Sequence, residues 1–180
     1  MIKIPEKEGR LSAAKAAHIE AVIAFVKRKT EGYRRNLFAN ISRVMLVSGT
    51  FEDMSARDDW SWLSDFILAD VKTLKQMIGR PELLQFDEFK RMYSDYFSAG
   101  SDKYVDASTK YNAYTFIENL GVTICPYCDE EYLDVVENGN GGKLRTLEID
   151  HFFPKGKYPA LAMCFYNLVP SGQNCNGMKR

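Results

Sequence analysis

The chain has 180 residues, the usual size of one domain and enough to bury a hydrophobic core without disulfide or metal staples. Apolar residues make up 46%, charged residues 27% and aromatics 13%, which excludes disordered and collagen-like chains. Its 24 basic side chains cancel 24 acidic ones, so no net field draws the chain to nucleic acid or repels it.

Residues Met1 to Glu8 carry acids where a signal peptide needs an apolar core, and no apolar run approaches the ~20 residues that cross a bilayer. A cytoplasmic protein with no membrane partner is expected. From Leu11 to Lys29 an apolar stripe through Ala16, Ile19, Val22, Ile23 and Val26 predicts a helix, with Ser12 as its N-cap. His18 lies inside it and reads as structural. A second helix is predicted over 33–47, stopped by Ser48-Gly49-Thr50, and a third over 58–78, stopped by Gly79. Trp60, Trp62, Phe66 and Ile67 read as core. Pro81 opens a fourth helix with a stripe through Phe86, Phe89, Tyr93 and Phe97, and a fifth spans 109–120 before Gly121.

After Gly121 the character changes. Residues 131–136 and 144–152 are rich in β-branched and aromatic side chains, and Asn138-Gly139-Asn140-Gly141-Gly142 between them supplies the backbone angles of a hairpin turn. Residues 153–171, with three prolines, read as loop, and a helix start is expected from Asn174. The fold class is therefore α+β: a helical domain over 1–120 and a C-terminal unit over 121–180. Charge divides unevenly inside that unit. Lys143 and Arg145 face seven acids in 121–150, whereas 151–180 carries Lys155, Lys157, Lys179 and Arg180 with no Asp or Glu.

Cys125-Pro126-Tyr127-Cys128 spaces two thiols to hold one metal ion, and a helix before with a strand after is the reverse of a thioredoxin-like setting. Cys175 would join as a third ligand, and Cys164 reads as a small buried hydrophobe or a substitute ligand. Asp150 and His151 close the second predicted strand ahead of Pro154. A carboxylate suits magnesium or manganese, and a histidine titrating near neutrality can deprotonate a water beside it. By itself such a dipeptide is also a common surface pair.

The run Cys-Pro-Tyr-Cys, hairpin, Glu148-Ile149-Asp150-His151-Phe152-Phe153-Pro154-Lys155, then Tyr158-Pro159, Tyr166-Asn167-Leu168-Val169-Pro170-Ser171, Asn174-Cys175-Asn176 and Lys179 closely resembles the HNH endonuclease family. Residues 150–176 are also similar to the HNH component of Septu-type anti-phage defence systems, which works beside an ATPase. The resemblance covers 121–180 and implies a ββα-metal unit braced by zinc. His151 matches the general base, Asp150 a ligand of Mg2+ or Mn2+, Asn167 the central asparagine that holds the loop and orients the base, and Asn176 the last metal ligand. Cys125, Cys128 and Cys175 match zinc ligands. Gly172 stands where the family carries a further cysteine, leaving a partial zinc knuckle.

The implied activity is metal-dependent hydrolysis of nucleic-acid phosphodiester bonds, with DNA as the expected substrate and an ATPase as partner. A zinc-dependent module that binds nucleic acid or protein without cutting is the alternative. Because the sequence stops four residues after Asn176, a longer C-terminus or a partner is expected to complete the site and raise a low activity.

Overall fold

A computed structural model describes residues 9–49, 60–140 and 142–178. Helix α1 (Arg10–Lys27) begins one residue after Gly9, whose φ of 85° is easy for glycine, so Ser12 lies inside the helix and is not its cap. Its buried face is Ala14, His18, Ala21, Val22, Phe25 and Val26, a stripe rotated from the predicted one so that Ala16 is exposed. In α2 (Glu31–Val47) the Thr30 hydroxyl caps the first turn by accepting from the Tyr33 N–H.

The predicted long third helix is two short ones, α3 (Ser61–Ile67) and α4 (Val71–Met77). Asp70 causes the break, because its carboxylate accepts from the Thr73 N–H at 2.8 Å and starts a new helix where an uninterrupted one would pass through. The expected start at Asp58 lies outside the described residues, as do Met1 to Glu8, Thr50, Gly141, Lys179 and Arg180. Trp62, Phe66 and Ile67 are buried, in keeping with their reading as core.

The predicted fourth helix is also divided. Pro81–Leu84 is a single 3₁₀ turn, α5 is Glu88–Met92, and Tyr93–Phe97 widens into a π turn. Helix α6 (Ala113–Leu120) starts later than the sequence suggested, because Asn112 and Thr115 form a reciprocal capping box; Gly121, at φ 61°, ends it.

Two small antiparallel sheets follow. In the first, β1 (Val135–Glu137) pairs with β2 (Lys143–Arg145) across the predicted glycine and asparagine turn. The second corrects the sequence reading. The run 144–152 is not one strand, and its latter part, β3 (Leu147–His151), pairs with β4 (Leu168–Gly172) inside the segment expected to be loop. Pro170 made that segment look unlike a strand. The bond from Phe152 N–H to the Asn167 carbonyl sets the ladder so that Ile149 and Pro170 meet at a non-hydrogen-bonded pair, where a missing N–H costs nothing. Helix α7 (Gln173–Met178) then packs on both strands.

One apolar cluster runs from α1 to Cys175. Polar anchors tie distant segments into it. The buried Asp106 accepts from Arg28 at 3.0 Å and from the Ser108 and Thr109 hydroxyls at 2.6 and 2.8 Å, and these hydrogen bonds hold its carboxyl down to about 2. Arg28 therefore belongs to a partly buried ion pair, whereas the neighbouring Lys27 and Lys29 lie over the rings of Trp60 and Phe25. Among the described residues no helix is long and apolar enough to cross a membrane.

His18 is fully buried among Phe97, Tyr111, Phe116 and Phe165, with Nδ1 2.9 Å from the Tyr111 hydroxyl and Nε2 2.8 Å from the Met163 carbonyl. Burial lowers its pKa from 6.5 to about 4. An unfolded chain protonates this histidine below 6.5 and the folded one only below about 4, so stability is complete above pH 6.5 and declines as pH falls toward 4. A depression of this size corresponds to about 3 kcal/mol. Denaturant unfolding at pH 7 and pH 4.5 should show that loss, and His18→Gln should remove this residue's share of the pH dependence.

Candidate functional site

The site is built on β3, the segment after it, β4 and α7, with the turn around Cys125 closing one side. That turn is held by two backbone bonds, Cys125 N–H to the Glu131 carbonyl and Leu133 N–H to the Thr123 carbonyl, and by Asp129 at φ 61°. It brings Cys125 and Cys128 together, and α7 delivers Cys175 from the far end of β4. The three Sγ atoms all lie within 4.8 Å of one another. Tetrahedral zinc with bonds of ~2.3 Å separates its sulfurs by roughly 3.8 Å, so a small contraction would close the group on a cation.

The surroundings favour thiolate at Cys128. Backbone N–H groups of Glu131 and Glu130 lower the pKa of Cys128, and the Gly172 N–H donates to Cys125 Sγ at 3.3 Å. Cys175 is pushed up to about 12, first by its hydrogen bond to Cys128 and then by burial. A divalent cation would remove that penalty, and the cluster can hold a metal ion such as zinc. Cys164 is elsewhere: fully buried, its thiol donates to the Phe66 carbonyl at 3.5 Å and burial raises its pKa strongly. The option of Cys164 as a substitute ligand therefore falls away.

His151 ends β3 with 9% of its surface exposed. Its Nε2 lies 3.1 Å from the Ala162 carbonyl, which can only accept, so Nε2 carries the proton and Nδ1 is the unprotonated nitrogen. The ring meets Tyr93 edge-on at 4.5 Å between centroids. Tyr93 in turn donates its hydroxyl to the Ile149 carbonyl at 3.3 Å, the outward-facing carbonyl of that strand. Burial, then the charge of Lys155, lowers the pKa of His151 to about 4, so the ring is neutral at physiological pH. Lys155 lies over the Tyr93 ring at 4.1 Å, and its own pKa is lowered by burial and by Lys90.

Asp150 accepts from the Tyr127 hydroxyl at 2.6 Å, a bond between the middle of the Cys-x-x-Cys turn and the middle of the site. Burial and this bond raise the Tyr127 pKa strongly. Asn176, on α7, donates its amide to the Glu148 carboxylate, two residues from Asp150 along β3 and hence on the same face of the strand. Asn167 is completely buried and closes the loop: its Oδ1 accepts from Phe153 N–H at 2.6 Å, and its Nδ2 donates to the carbonyls of Phe153 and Leu161 at 3.1 and 2.9 Å.

Asp150, His151, Asn167 and Asn176 thus all fall on this strand, loop, strand and helix. Sequence reasoning gave no role to Tyr127, Tyr93, Glu148 or Glu131. Only Glu148 had a readable signal, its two-residue spacing from Asp150.

No family model matches the chain, and no solved structure matches it. A Septu protein PtuB from Bacillus thuringiensis is 46% identical over 35 residues, 19% of this chain. The match spans 14% of that protein's length, so the chain covers only a small part of it.

Proposed function

We propose that the chain is a metal-dependent endonuclease of the HNH type that hydrolyses phosphodiester bonds, with DNA as substrate, and that it acts in anti-phage defence beside an ATPase partner. The observation that carries this reading is the order β3, loop, β4, α7, with Asp150 and His151 at the end of the first strand and Asn176 on the helix. The short similarity to a Septu protein supports the defence context.

The donor atoms suit a hard cation in part. The Asp150 carboxylate and the Oδ1 of Asn176 would be the oxygen ligands that hold it; among the described residues three ligating side chains gather only at the thiols. When bound, Mg2+ or Mn2+ would polarise the scissile phosphate and steady the leaving oxygen. The protein's own part is to hold a neutral imidazole beside the phosphate. With Nε2–H fixed on Ala162, Nδ1 takes the proton from the attacking water. Asn167 fixes the loop that carries this carbonyl, and Tyr127 orients Asp150.

The thiol cluster alone would also serve a module that grips nucleic acid without cutting, and one experiment separates the two. A plasmid is incubated with the protein and Mg2+ or Mn2+, with and without an ATPase partner and ATP, beside Asp150→Ala. Metal-dependent nicking that Asp150→Ala loses supports the nuclease. Binding with no nicking under any of these conditions supports the module.

A further inference from the structure

The resemblance implies a further cysteine at the position of Gly172, yet its backbone does not require glycine. It lies within β4, paired with Leu147, and has no left-handed φ that would strain another residue. A Cβ at Gly172 would fall on the oxygens and carboxyl carbon of Glu131, the flexible end of a side chain that would then have to move aside. The Glu131 carboxyl group thus occupies the space of the absent side chain.

Glu131 is also bound into the metal-binding turn through its backbone. Its carbonyl accepts from the Cys125 N–H at 2.8 Å, and its N–H hydrogen-bonds Cys128. Gly172 touches the cluster from the other side through its N–H on Cys125 Sγ. The carboxyl group therefore lies beside Gly172, between two backbone segments that both contact the thiols. The 4.8 Å grouping contains the three sulfurs alone, so ligation requires a swing of the flexible Glu131 side chain.

We propose that Glu131 is the fourth protein ligand of the thiol cluster, making a Cys3Glu zinc site of Cys125, Cys128, Cys175 and Glu131, with Gly172 serving to admit the carboxylate. Zinc accepts carboxylate oxygen at ~2.0 to 2.2 Å alongside thiolate sulfur. The proposal rests on the zinc part of the functional reading and is independent of whether the protein cuts nucleic acid.

The test is a zinc competition titration of the full chain against a chromogenic chelator, with Co2+ substitution to read coordination number from its visible spectrum. The wild type should bind one zinc tightly and give the intense absorption of four-coordinate cobalt. Glu131→Gln, nearly identical in shape, should bind zinc at least about 10-fold more weakly, since losing a ligand costs no less than losing the hydrogen-bond partner of one. The double variant Glu131→Ala with Gly172→Cys, which exchanges the carboxylate for a thiol in the same space, should restore tight binding and strengthen the sulfur-to-cobalt absorption. Wild-type affinity in Glu131→Gln would overturn the assignment of Glu131 while leaving the three-thiol site in place. No zinc binding by the wild type would overturn the zinc site itself, and the assignment with it. Neither outcome bears on cleavage, which the titration does not read.

Discussion

Replacing His151 with alanine should leave nucleic-acid binding within a few-fold of the parent and slow cleavage by roughly 10²- to 10⁴-fold, the usual contribution of a positioned general base. The reason lies in what the imidazole touches. Its Nε2 is committed to the Ala162 carbonyl and its ring edge to Tyr93, so its remaining nitrogen is the atom that can take a proton. An interaction needed only when the water is deprotonated is felt in the transition state and hardly at all in the bound ground state. Plasmid relaxation under Mg2+ or Mn2+ gives the rate, and filter binding in the presence of chelator gives the affinity. Cleavage at the parental rate by His151→Ala would remove His151 from the mechanism.

Asn167→Ala should instead be a stability mutant. Alanine cannot replace any of the three hydrogen bonds, so the Phe153 N–H and the Phe153 carbonyl would lose their Asn167 partner while the Leu161 carbonyl keeps only the Cys164 N–H at 3.2 Å. At about 1 to 3 kcal/mol for each orphaned group the loss reaches several kcal/mol, a large share of the ~5 to 15 that holds a domain together. A chain of this length should then melt on the order of 10 °C lower or more. Asn167→Asp retains the acceptor for Phe153 N–H but sets a buried carboxylate oxygen against two carbonyls, so at neutral pH it should melt no higher than Asn167→Ala and should gain stability as the pH falls. Circular dichroism melts of the three proteins test the order, and a loss of only a degree or two in Asn167→Ala would mean that other contacts hold the loop.

What the sequence disclosed was whatever depends on local pattern. The existence of α1 and α2, the stop at Gly121, the turn at 138–142 and the pairing of spacing with chemistry in Cys125 and Cys128 are properties of neighbouring residues. Events decided by distant partners were hidden. Nothing near Leu168 tells that it will pair with His151, and Pro170 argues locally against a strand that the ladder register permits. Asp70 could have been read as a cap, since its local bond to the Thr73 N–H is what divides the predicted helix into α3 and α4. The convergence of Cys175 on the Cys-x-x-Cys turn was expected from the resemblance and occurs. By contrast, Gly172 looked only like a lost ligand, because the carboxylate above it comes from a residue 41 positions earlier, a difference visible only in three dimensions.

The segment after His151 has a consequence for timing. Residues 158–165 are buried without interruption, with Phe165 against His18 and Phe116, the Met163 carbonyl on His18 and the Cys164 thiol on the Phe66 carbonyl. Such a segment cannot swing as a lid without breaking the core, so local opening there costs nearly as much as global unfolding. Its amides should be among the slowest in the chain to exchange with deuterium. For the chemistry proposed, the entropy of arranging the imidazole and its supporting carbonyl is spent during folding, and each arriving substrate meets a wall already in place.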